Sequence, residues 1–246
     1  MIEFENVFKA FGEKRVLNGL TLKIDKGERF FVLGKSGTGK SVLLKHLVGI
    51  LKADQGTIRL DGEEIQNLKE NEFNRIRKKC SIVFQLPALL DSLNLFENLC
   101  FGIKALSSDE KIKRVTSSLN AVDLSHLASD LFTKTPPELS YGEQKRMALA
   151  RVLALDPDYI LYDEPTTGLD PVTSRNIHKL ILDVSQKLGK TSIVVSHDMP
   201  NALKTASRIA LMDAGQVVFE GTPKEILECQ HPLAISFMKG VKKHHD

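Results

Sequence analysis

Short apolar runs alternate with amphipathic stretches of helical length along most of this chain. Up to about Leu33 the runs are strand-like and separated by turns such as Phe11-Gly12-Glu13 and Asp25-Lys26-Gly27. A further run, Gly56-Thr57-Ile58-Arg59-Leu60, is followed by the turn Asp61-Gly62, so the segment predicts an antiparallel sheet. Between them, Leu43, Leu44, Leu47, Val48 and Leu51 fall at helical spacing, which predicts a helix from Lys40 to Leu51 with one face on a sheet. The strand-like run Ser81-Ile82-Val83-Phe84 ends at Gln85, and from Leu86 to about Leu155 the pattern is mostly helical and non-β-branched. Strands return at Tyr159–Asp163 and Thr191–Ser196, with an amphipathic Pro171–Leu188 between them, a β-α-β unit that requires parallel strands. The expected fold is therefore doubly wound α/β. Its core and an antiparallel β subdomain occupy 1–85 and 156–228, an inserted α-helical subdomain 86–155 and a C-terminal tail 229–246, its last residues, from Gly240, polar and frayed.

Composition narrows the classes of partner. With 246 residues, 42% hydrophobic and 26% charged, the chain can bury a sizeable core, and a formal net charge of +3 is too small to argue for a nucleic-acid surface. Cys80, Cys100 and Cys229 are odd in number and lack metal-ligand spacing, which fits packing residues in a reducing cytosol. The pair His244-His245 reads as solvated tail and not as a metal site. No stretch approaches the ~18–20 apolar residues of a membrane span, and Met1-Ile2-Glu3-Phe4-Glu5 has no signal-peptide character. Service to a membrane would run from the cytoplasm through another chain.

Three places carry chemistry. Gly34-Lys35-Ser36-Gly37-Thr38-Gly39-Lys40-Ser41 follows the run Arg29–Leu33 and opens the Lys40 helix, the strand–loop–helix context of a phosphate-binding loop. Gly34 and Gly39 are expected to supply backbone angles that curl the loop N–H groups into an anion nest, with Lys40 reaching the β- and γ-phosphates and Ser41 ligating Mg²⁺. Ile160-Leu161-Tyr162-Asp163-Glu164 ends in two adjacent carboxylates at the sheet edge where open α/β folds place ligands. Strand alternation should aim them apart, Asp163 to the metal and Glu164 to the attacking water as base. His197 ends the strand Ile193–Ser196 and should face the γ-phosphate along the same edge.

In sequence order, the loop 34–41, Gln85, Leu139-Ser140-Tyr141-Gly142-Glu143, Tyr162-Asp163-Glu164, Gly168-Leu169-Asp170 and His197 resemble the Walker A, Q-loop, signature, Walker B, D-loop and H-switch of ATP-binding cassette (ABC) transporter ATPase subunits. The resemblance covers nearly the whole chain. It implies a P-loop NTPase of RecA-like core that hydrolyses ATP with Mg²⁺, Phe11 stacking on adenine, and Gln85 touching Mg²⁺ or the lytic water while reporting to the helical subdomain. It also implies a head-to-tail homodimer, in which Ser140 and Gly142 at the start of one subunit's signature helix meet the γ-phosphate held by the other. Ser140 stands where an N-cap is expected. Tyr141 departs from the pattern, because the family usually has Gly there.

A narrower resemblance, to Mla or Mce-type lipid-transport ATPases, rests on Lys40-Ser41-Val42-Leu43-Leu44-Lys45-His46-Leu47, on Phe84-Gln85-Leu86-Pro87-Ala88-Leu89-Leu90-Asp91-Ser92-Leu93 and on Ile235-Ser236-Phe237-Met238-Lys239-Gly240. It implies an integral membrane permease, an MCE-type lipid-binding protein beyond it, phospholipid or another apolar lipid as cargo, and a peripheral location on the cytoplasmic face of the inner membrane. An apolar patch of Leu86, Leu89, Leu90 and Leu93 would receive the permease. Two alternatives stay open: the same engine serving a small solute, and a soluble non-transport ABC ATPase. The absence of a second cassette, a long coiled-coil insertion and a basic stripe stands against the last.

Overall fold

The computed structural model describes residues 1–242, so the His244-His245 pair lies outside the described residues. Two sheets share the chain. In order, the elements are β1 (Ile2–Phe11), β2 (Lys14–Ile24), β3 (Arg29–Leu33), α1 (Lys40–Leu47), β4 (Gln55–Leu60), β5 (Glu63–Glu64), α2 (Glu70–Lys79), β6 (Cys80–Val83), α3 (Leu95–Cys100), α4 (Ser108–Ala121) and α5 (Tyr141–Ala154). There follow β7 (Tyr159–Asp163), α6 (Pro171–Leu188), β8 (Thr191–Ser196), α7 (Met199–Thr205), β9 (Arg208–Asp213), β10 (Gln216–Gly221), α8 (Pro223–Glu228) and α9 (Pro232–Lys242). A four-stranded antiparallel sheet runs β2-β1-β4-β5, and a six-stranded sheet runs β10-β9-β3-β8-β7-β6. Within the latter, β9, β3, β8, β7 and β6 are parallel and β10 pairs antiparallel at one edge.

Alternation along the central strands divides the interior in two. Phe31, Leu33, Ile160, Tyr162 and Val194 point into a core shared with the helices from α3 onward. Phe30, Val32, Tyr159, Leu161, Ile193 and Val195 point the other way, into a core closed by α1, α2 and the antiparallel sheet. Burial on both faces explains why β3, β7 and β8 read as continuous apolar runs. It also puts the carboxyl ends of these strands at the edge where open α/β folds place ligands.

Several elements depart from the expected pattern. The helix after the phosphate loop stops at Leu47, with Gly49 at φ 71°, instead of running to Leu51. The helix α2 has no apolar period to announce it, because only Phe73 and Ile76 are buried in a segment otherwise polar and charged. Residues 229–246, set apart as a tail, include α9, whose Leu233 and Ala234 are buried and whose Phe237 and Met238 pack on the helical core. Cys80 and Cys100 are buried free thiols, with burial raising both pKa values, and Cys229 is a half-buried free thiol.

Candidate functional site

The phosphate loop leaves β3 and enters α1 along a path that only glycine permits, though for two different reasons. Gly37 and Gly39 sit at φ 81° and 102°, the left-handed region. Gly34 does not; a Cβ there would lie 2.6 Å from the Met212 carbonyl oxygen and 2.7 Å from Thr38 Oγ1, so Gly34 supplies room and not an unusual angle. Lys40 is 6% exposed. Its ammonium donates to the carbonyls of Gly34 at 2.8 Å and Lys35 at 3.0 Å and stands 3.6 Å from Glu164 Oε1. Thr38 turns inward and donates to the Lys35 carbonyl, so its side chain braces the loop.

The two carboxylates at the end of β7 do diverge, but strand alternation is not the cause. The strand ends at Asp163, whose Oδ1 accepts a 2.6 Å bond from the Ser41 hydroxyl. Glu164 follows at φ 46°, a conformation uncommon outside glycine, with its N–H on the Val195 carbonyl at 3.0 Å. That local strain turns Glu164 toward His197, whose Nδ1 lies 2.8 Å from Oε2. His197 therefore meets a carboxylate, and its exposed ring lines the cleft. Ser41 and a nearly buried Asp163 are hard oxygen donors at bonding distance, a pair suited to Mg²⁺. Among the described residues no group of three or more His, Cys, Asp or Glu could hold a metal. Mg²⁺ held by Ser41 and Asp163 would neutralise charge on the phosphoryl oxygens.

Lys40, Ser41, Glu164 and His197 open onto one cleft of about 810 Å³ that is lined also by Phe11, Lys35, Ser36, Gly37, Gly39 and Gln85, while Gly34, Thr38 and Asp163 do not line it. Phe11 is 48% exposed at its mouth, with Lys9 Nζ 5.5 Å from the ring centre and Asp54 holding that ammonium at 2.7 Å. Gln85 faces the cleft from the loop after β6. Lys14, Val16, Thr167 and Phe237 also line it and were not foreseen. Lys14 and Val16 could have been found, since they continue the hairpin after Phe11; Phe237 arrives from α9 and left no local signal.

Ser140 and Gly142 are elsewhere. Together with Tyr141, Gly168 and Asp170 they line a second cleft of about 720 Å³ at the N-terminus of α5. Ser140 caps that helix: its hydroxyl accepts from the Glu143 N–H at 3.3 Å and donates to Glu143 Oε2 at 2.6 Å. Bonds from the Ser140 hydroxyl and N–H, aided by His126, hold the Glu143 carboxyl below its usual pKa. The Tyr141 ring is partly exposed and lies against Gly168. Of the leucines proposed as a docking patch, Leu86 is 69% exposed, whereas Leu89, Leu90 and Leu93 are half-buried and Leu89 packs on the core.

A phosphate loop, a Ser–Asp pair, a strained Glu and a partnered His on one sheet edge, with a capped signature helix set apart, define a class. The family model "ABC transporter" matches residues 17–167, and the chain belongs to that family. It is similar to the intermembrane phospholipid transport system ATP-binding protein MlaF of Haemophilus influenzae, 37% identical over 243 residues covering 98% of this chain and 90% of that one. It is also similar to the methionine import ATP-binding protein MetN of Clostridioides difficile, 37% identical over 231 residues covering 92% of this chain and 70% of that one. Among solved structures, the dimeric cassette MJ0796 bound to ADP and Pi superposes with TM-score 0.81 at 32% identity, over 91% of this chain and 99% of that one. CbiO1 of Clostridium perfringens, part of the transporter complex cbiONQ, superposes with TM-score 0.83 at 32% identity, over 92% and 90%. The fold is that of a P-loop NTPase, and the protein is an ATP-hydrolysing cassette that uses ATP and Mg²⁺. No helix among the described residues is long and apolar enough to cross a membrane.

Proposed function

We propose that this cassette drives a transporter of phospholipid or a related lipid between membranes of the cell envelope, from the cytoplasmic face of the inner membrane. Its partners in this reading are a membrane permease docked around Leu86 and an MCE-type lipid-binding protein on the far side. The observation that carries the reading is the likeness to MlaF through 98% of this chain. The second reading, import of a small polar solute, is favoured by MetN at the same identity. Purification of the complex from detergent-solubilised membranes tests the two: co-purified phospholipid and lipid-responsive ATPase activity are expected, and a complex that moves a polar solute with no lipid bound or transferred would overturn the lipid reading.

Within the site, Glu164 acts as general base on the attacking water. His197 fixes its carboxylate and meets the γ-phosphate, Lys40 and the loop N–H groups hold the phosphates, and Ser41 and Asp163 hold Mg²⁺ with Gln85 beside them. Phe11 stacks on adenine. Ser140 and Gly142 complete the site of a second copy, and the helical segment 86–155 carries them as a subdomain. The short reach from Lys40 to Glu164, 3.6 Å, and from Glu164 to His197, 2.8 Å, supports these roles.

A further inference from the structure

One buried cation outside the phosphate loop has no carboxylate acting on it. Lys145, in the second turn of α5, is 3% exposed, and burial alone lowers its pKa. Its ammonium donates to the main-chain carbonyl of Gln85 and stands 5.4 Å from the centre of the Tyr141 ring, one turn earlier on the same helix. Tyr141 in turn covers Gly168, where a Cβ would come 3.4 Å from the ring carbon Cε1. Gln85 lines the nucleotide cleft, and Gly168 adjoins Thr167, which lines it too. A carbonyl, an ammonium, an aromatic ring and a glycine thus connect the turn after β6, the start of α5 and the loop after β7.

We propose that Lys145 is a positioning residue that, held between the Gln85 carbonyl and the Tyr141 ring, sets the Gln85 turn relative to the N-terminus of α5. Stability does not account for an ammonium in this place. Desolvating it with one carbonyl and one ring as partners is costly, and an apolar chain of equal length would fill the space at least as favourably. What the ammonium supplies and a thioether cannot is a directed bond to the carbonyl together with attraction to the ring face. The large residue at 141 fits the same account, since a glycine there would leave the cation without its ring. The inference rests on Gln85 serving the cleft and is independent of which cargo is carried.

The test uses the full chain with Mg-ATP and separates kcat from KM in Lys145→Met, Lys145→Arg, Tyr141→Leu, the double variant Lys145→Met/Tyr141→Leu and Gln85→Ala. Lys145→Met should keep or raise the melting temperature and hold KM within about twofold, while kcat falls about tenfold. Lys145→Arg, which retains donors and ring stacking, should recover most of that loss. In the Tyr141→Leu background the Met substitution should add less than about a twofold further loss, because the pair acts as one unit. Wild-type kcat in Lys145→Met beside an impaired Gln85→Ala overturns the anchor, whereas wild-type kcat in both removes Gln85 from the chemistry and the anchor's purpose with it. Equal losses in both backgrounds overturn the pairing with Tyr141. A lowered melting temperature with kcat and affinity lost together assigns Lys145 to packing and overturns the proposal.

Discussion

The two clefts of this cassette are built by opposite means. Around the phosphate loop the candidate side chains hold one another: Ser41 on Asp163, Lys40 near Glu164, Glu164 on His197, brought together by the first turn of α1 and the buried ends of β7 and β8. At the start of α5 the functional feature is a helix N-terminus whose capping serine is occupied with its own glutamate. The first cleft is preorganised for charge at a single point. The second presents backbone dipoles on a surface, and in the proposed dimer a second copy brings the charge to it.

The largest effect that separates them is expected at Glu164. Glu164→Gln keeps shape and ATP affinity but should lower kcat by about 10³, while Lys40→Ala should lose affinity as well, because its ammonium acts on phosphates already in the ground state. Single-turnover hydrolysis and equilibrium ATP binding check both, and a wild-type rate for Glu164→Gln would reassign the base. Next in size is a mixing experiment. Lys40→Ala and Ser140→Arg should each be inactive alone, and an equal mixture should recover about a quarter of wild-type activity, since half the dimers then contain one intact site. No recovery would mean that one chain's two clefts serve the same nucleotide. Ser41→Ala should raise the Mg²⁺ concentration needed for half-maximal activity by about tenfold and leave Mg²⁺-free nucleotide affinity nearly unchanged, measured by titration.

The smallest effect lies away from both clefts, where Asp61 joins the antiparallel sheet to β7. Burial pushes its pKa up, but bonds from the N-terminal ammonium, Tyr159 and Lys26 outweigh this and lower it from 3.8 to about 2. A depressed carboxyl pKa stabilises the fold above its unfolded value and loses that contribution as pH falls through the folded value, here between pH 3.8 and about 2. Asp61→Asn should therefore cost about 1 kcal/mol at neutral pH, allowing for solvent screening, and flatten the acid limb of a urea-midpoint profile.

The asymmetry between the clefts also decides what could be read from the residues. The strands β7 and β8 and the helix α6 were legible to the residue because continuous apolar runs and a 3.6-residue period leave few alternatives. The phosphate loop was legible as a motif, but the reason for Gly34 was not, since crowding by Met212 comes from a strand far along the chain. The divergence of Asp163 and Glu164 was foreseen for the wrong cause; a positive φ at a glutamate has no propensity signal and is imposed by the bond to Val195. The place of Phe237 at the cleft and the bond of Lys145 to Gln85 were illegible for the same reason, each made by tertiary packing between distant segments.

Phe11 has an optical consequence. The chain contains no tryptophan, so its intrinsic emission comes from Tyr141, Tyr159 and Tyr162, two of them fully buried. Phe11 is half exposed at the mouth of the nucleotide cleft. Phe11→Trp would place the chain's sole indole where the base is expected to stack, in a protein whose background above 300 nm is otherwise dark under about 295 nm excitation. Quenching of that one fluorophore would follow nucleotide arrival and departure on each turnover without a label, while the rest of the transporter went about its cycle.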